Sequence, residues 1–104
     1  MDIDELKKQS DRSYEIALAK QNALEQARSK MVLAYEGHLF LADPLTINLV
    51  RTLSDFHEQF VLLDSKDNPS LINDPKDFLS KLIEKNQEAL NQYYQTYVKN
   101  RTLR

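Results

Sequence analysis

Two histidines, His38 and His57, are the only imidazoles in the chain. Neither sits in an HxxxH or HExxH arrangement, the spacing that puts two ring nitrogens on one metal ion, so each reads as a satisfied or exposed side chain. Asp64, Asp67 and Asp74 gather around a turn-rich stretch and raise the question of a calcium loop. Such a loop alternates its acids, places a glycine at the sharp turn and ends on a glutamate. That pattern is missing here, and turns recruit aspartate for local bonds to their own backbone in any case. With no cysteine there is no thiol nucleophile, zinc thiolate or disulfide framework. A single glycine, Gly37, leaves no Gly-rich phosphate loop, and no G-x-S-x-G elbow is present. The expectation is a protein that is not an enzyme, with no catalytic residue, no metal ligand and no cofactor.

What the sequence does spell, twice, is two short apolar runs, a turn, and Asp-Pro opening a helix. In MVLAYEGHLFLADP the runs 32–35 and 38–42 flank Glu36-Gly37. A glycine can take the positive φ of a two-residue hairpin turn, so its position between two β-prone runs predicts a hairpin. In FVLLDSKDNPSLINDP the runs 60–63 and 70–72 flank the turn formers of residues 64–69. Asp43 and Asp74 can accept from the free N–H groups of a helix's first turn, and Pro44 and Pro75 fit its first position. The two units are offset by about 30 residues, which reads either as a duplication or as a chance likeness of short segments.

Three helical stretches complete the pattern. Residues 4–29 lack proline and glycine and are rich in Glu, Lys, Gln, Ala and Leu. Their apolar positions, Ile3, Leu6, Ala17, Leu24, Ala27 and Met31, keep a 3-4 spacing broken by Ser10, Ser13 and Lys20, with Tyr14 and Leu18 alongside. So thin a stripe predicts a helix that faces water or pairs with a neighbouring chain. Residues 44–57 place Leu45, Leu49, Val50, Leu53 and Phe56 on what reads as a core face. Leu39, Leu41, Val61 and Leu63 are expected to point toward it from the strands, since alternate residues share a sheet face. From Pro75 an amphipathic helix of about 24 residues carries Phe78, Leu79, Leu82, Ile83, Ala89, Leu90, Tyr93, Tyr94 and Tyr97. Asn86 falls within that apolar face, where its amide needs a partner such as a strand carbonyl or an interface. Lys99, Arg101 and Arg104 form a basic tail that suits a helix C-terminus.

The balance of 41% hydrophobic to 29% charged residues is that of a folding globular chain, and 104 residues suffice for one modest core. A net charge of −2 argues against a dedicated nucleic-acid binder. The N-terminus MDIDELKKQS lacks the basic start and apolar core of a signal peptide, and no apolar run nears the roughly 20 residues that span a bilayer. A soluble protein, intracellular or of a virion, is therefore expected, without membrane contact; the resemblance described next makes the cell a host cytoplasm.

Residues 34–97 resemble a family of short uncharacterised proteins of T-even-type tailed bacteriophages. The resemblance rests on Gly37, Phe40, Pro44, Val61, Leu62, Asp64, Asn68, Pro69, Phe78, Ala89, Asn91 and Tyr94. It covers about two thirds of the chain, and part of its pattern is general turn and helix chemistry. It implies a phage particle or assembly component and supplies no catalytic residues.

Together these readings predict an α+β protein of one domain, with residues 1–30 a polar helical arm and residues 31–104 the core. Two hairpins in a small antiparallel sheet, a short middle helix and a long C-terminal helix make up that core. An all-α bundle is the alternative, with Gly37 ending a continued first helix. The function favoured is a structural or assembly protein acting by self-association as a homo-oligomer or with other virion proteins. The alternative is an adaptor or regulator binding a host or replication protein, with nucleic-acid contact through the tail a distant third. Tyr93, Tyr94, Tyr97, Leu24 and Met31 are the expected interface residues; for the tyrosines, the rim of the core is the competing placement.

Overall fold

A computed structural model describes residues 3–102. The order is α1 (Ile3–Ser29), β1 (Val32–Tyr35), β2 (His38–Leu41), α2 (Pro44–Phe56), β3 (Phe60–Leu63), β4 (Pro69–Ile72) and α3 (Pro75–Thr102). This is the α+β arrangement, with the hairpin-then-helix unit appearing twice. The all-α alternative fails at Gly37, which closes a hairpin.

Each boundary has a local cause. Glu36 (φ 49°) and Gly37 (φ 83°) both lie in the left-handed region, as the tight turn between β1 and β2 demands. Asp43 caps α2, its Oδ1 accepting from the Thr46 N–H at 2.9 Å, and Asp74 accepts from the Asp77 N–H at 3.2 Å at the start of α3. The β3–β4 turn is built on Asp64. Its Oδ1 accepts from the N–H groups of Lys66 (2.8 Å) and Asn68 (2.9 Å), while Asp67 takes a φ of 63°.

The hairpins form two separate two-stranded antiparallel sheets rather than one. Their registers pair Leu33 with Phe40 and Ala34 with Leu39, and Phe60 with Ile72 and Val61 with Leu71. Between the hairpins run a hydrogen bond from the Ser65 N–H to the Leu39 carbonyl (2.8 Å) and the His38–Asp64 contact described below.

Phe40, Val50, Ile72, Phe78 and Leu82 form the fully buried centre, with Tyr35, Phe60, Leu62 and Ala89 around them. Phe78 serves as the hub. Its ring lies 4.7 Å from that of Tyr35 and 4.8 Å, edge-on, from that of Phe40. Asn86 is buried in the expected face and donates to the Ala42 carbonyl just past β2 at 2.9 Å.

Two packing expectations are corrected. Leu39, Leu41, Val61 and Leu63 point outward, and the inward positions are Leu33, Tyr35, Phe40, Phe60, Leu62, Ser70 and Ile72. Apart from His38 and Ser70 both parities of these strands are apolar, so alternation alone chooses no face clearly; the aromatic rings, which bury the larger area, take the inside. In α2 the expected Val50 is buried with Leu53 packed beside it, joined by Ile47, whereas Leu45, Leu49 and Phe56 are exposed.

Candidate functional site: apolar surfaces and a helical arm

The molecule measures 65 × 26 × 24 Å, and its length comes from α1 and α3. Each is close to 40 Å long at 1.5 Å per residue. Among the described residues they meet at one end of α1, where Ala23, Gln26, Ala27 and Lys30 lie against Ala89, Gln92, Tyr93 and Thr96. Alanines let the two backbones approach closely, and Lys30 Nζ donates to Gln92 Oε1 at 2.9 Å. Beyond that seam α1 stands free: Ile3, Lys8, Gln9 and every residue from 11 to 22 are exposed. Ile3, Tyr14, Ile16 and Leu18 are exposed large apolar groups on this part. The side chains of Leu6, Ser10 and Arg101, and the whole of Arg104, lie outside the described residues.

The expected interface residues divide. Tyr94, 63% exposed, and Tyr97 point to solvent, and with Leu90 and Ile83 they fall on the 3-4 spacing that a facing helix reads as a seam. Tyr93 is half-buried against α1, and Leu24 is half-buried as well. Met31 is a correction. It is buried in the chain's own core with its sulfur 3.9 Å from Asn86 Nδ2, because the turn after α1 folds it under the hairpin. It is not available to another molecule.

A second surface was not foreseen. The outer positions of the four strands are Val32, Ala34, Leu39, Leu41, Val61, Leu63, Pro69 and Leu71, all exposed and none polar. The signal was in the sequence as strands lacking polar alternation, the pattern of a sheet covered on both sides. Leu45, Leu49 and Phe56 add an apolar row on α2.

The titratable groups serve the fold. His38 Nδ1 donates to Asp64 Oδ2 at 2.7 Å, joining the two hairpins, and His57 is exposed. The His38 contact, helped by the turn N–H groups, holds the Asp64 carboxyl down at about 2. Tyr35 donates to Asp77 Oδ2 at 3.0 Å, and Lys81 bridges to the same oxygen at 3.1 Å. Burial, reinforced by Asp77, pushes the Tyr35 phenol up to about 12, while Lys81 and Tyr35 together lower Asp77. An open hollow of about 620 Å³ between the end of α2 and the start of α3 is lined by charges of both signs, among them Arg51, Lys76, Asp55 and Glu58. Among the described residues no three His, Asp or Glu side chains gather as a metal ion requires, and no helix is long and apolar enough to cross a membrane.

The fold and these surfaces define an α+β protein with large uncovered apolar faces. Compared with protein families, with curated proteins and with solved structures, the chain matches none.

Proposed function

We propose that the chain is a non-enzymatic structural or assembly protein that works by self-association. The observation that carries this reading is the outer part of α1, where every described side chain, those of Ile3, Lys8, Gln9 and residues 11–22, is exposed. A helix in water gains little from propensity alone, and most helical stability in proteins comes from packing an apolar stripe. Tyr14 and Leu18, four residues apart on one face of α1, and Leu90, Tyr94 and Tyr97 on α3, are the side chains that a second copy would cover. Membership of a phage particle or of its assembly machinery rests on the sequence resemblance alone.

Sedimentation or light scattering of the full chain tests the reading. A stable oligomer is expected, and deleting residues 2–20 should leave a folded protein of lower oligomeric state. A monomer at every concentration would favour the adaptor reading, in which another protein covers the arm.

A further inference from the structure

The outer face of the two hairpins differs in kind from the arm. On α1 and α3 the exposed apolar groups are interspersed with charge, whereas the eight outward strand positions carry no polar side chain. Its six large aliphatics, Val32, Leu39, Leu41, Val61, Leu63 and Leu71, are between 40 and 61% exposed. The inner faces of both hairpins enter one core, so both outer faces turn away from it. They are also joined. Leu39 carries the carbonyl that accepts from the Ser65 N–H, and Leu63 stands two residues before Ser65.

We infer that this face is a two-fold interface that packs against the same face of a second copy of the chain. Three features select that occupant. The first is area: the six aliphatics expose on the order of 500 Å² of apolar surface at their observed exposures. Ala34 and Pro69 extend it toward the roughly 800 Å² per partner of a standard interface. The second is chemistry. With no charge and no polar side chain the face offers nothing for a charged or hydrogen-bonding partner to recognise, so its complement is equally apolar. The third is symmetry, since a surface that is apolar throughout can pair with its own copy about a two-fold axis, as an isologous contact requires. Charged turn residues, Glu36 at one hairpin tip and Lys66 and Asp67 at the other, supply a polar rim.

This inference rests on the self-association reading but names a different surface from the arm, so the two can fail separately. The test compares the full chain with Val61→Lys, Leu63→Lys and, as a control on the arm, Tyr94→Lys. Each is measured by sedimentation over a concentration series, with circular dichroism to establish folding. All three positions are well exposed, so the variants should fold. The strand variants are expected to weaken self-association at least 100-fold at one step. Because the chain has no cysteine, Leu39→Cys, Val61→Cys and Leu63→Cys provide an independent readout. At least one of them should cross-link into a covalent dimer under mild oxidation, while Glu88→Cys should not. Folded strand variants that associate like the wild type, with no cross-linking above the Glu88→Cys level, overturn the inference and leave arm-mediated assembly standing. A wild type that stays monomeric and binds a fluorescent apolar dye, with the lysine variants binding less, overturns it in favour of a face that receives a different protein.

Discussion

Asn86 ties the long helix to the chain just past β2 through its side-chain amide, and replacing it tests that joint. The Asn86 Nδ2 donates to the Ala42 carbonyl at 2.9 Å, in a site where Ala42 has no exposed surface and Asn86 is only 6% exposed. The other end of the amide, Oδ1, accepts from the Gln87 side chain at 3.1 Å. In Asn86→Leu the volume is retained but the buried carbonyl loses its donor, which costs about 1 to 3 kcal/mol. Leucine recovers part of that through apolar contact with neighbours such as Met31, so a net loss near 1 to 2 kcal/mol is expected. Asn86→Ala adds a cavity and should lose roughly 2 to 4 kcal/mol. For a chain of this length each kcal/mol lowers the melting temperature by about 4 to 8 °C. Urea and thermal unfolding followed by circular dichroism, at one fixed protein concentration because association itself stabilises, would read these losses. The exposed Asn91→Ala is the control and should stay within about 0.5 kcal/mol. An Asn86→Leu protein as stable as the wild type, with an unchanged denaturant slope, would refute the view that this amide seats α3 on the hairpins.

Three further outcomes follow from the geometry. At Gly37 an added Cβ meets nothing within 4 Å, so the cost of Gly37→Val is backbone strain alone, about 2 kcal/mol, and Gly37→Asn should lose clearly less; equal losses in a melting comparison would contradict this. The native Asp64 carboxyl stays ionised to about 2, below its ordinary value of 3.8, so the unfolded chain takes up the proton first and this group's stabilisation, complete above about pH 5, is lost as pH falls toward 2. The urea midpoint of the wild type should therefore approach that of Asp64→Asn across this range, and a pH-independent gap would count against the reasoning. Tyr94→Ser or Tyr97→Ser should weaken association by roughly 1 to 3 kcal/mol in sedimentation while leaving the monomer's melting temperature nearly unchanged, since both phenols face solvent.

The elements were legible wherever short-range chemistry sets them. Gly37 between two β-prone runs, Asp43-Pro44 and Asp74-Pro75 each specify a turn or a helix start through neighbours a few residues away, and the structure places strands and helices there. Facing was not legible. Val61 and Leu63 compete with Phe60 and Leu62 for the same core, and Leu45, Leu49 and Phe56 compete with Ile47 and Val50, so patterning holds two solutions that only the tertiary packing separates. The His38–Asp64 contact spans 26 positions, and nothing in the turn signal of Asp64 points to its partner. Of the interface, Tyr93, Tyr94 and Tyr97 spread over a broad arc at about 100° per residue, too wide for one small core to take up, and Tyr94 and Tyr97 are exposed. Met31 misled because it continues the stripe of α1, although the helix has already ended and the chain has turned beneath β1.

The hub of the core arrives late in the chain. Tyr35, Phe40, Phe60, Leu62 and Ile72 all precede Phe78 and Leu82, the α3 residues that cover them. During synthesis at about 5 to 20 residues per second, the interval between making residue 40 and residue 89 is on the order of 2 to 10 s. A hairpin closes in microseconds. A lone two-stranded hairpin is marginal in water, however, so the core can close only once α3 has delivered Phe78 and Leu82, and the last element made is the one that makes the fold cooperative.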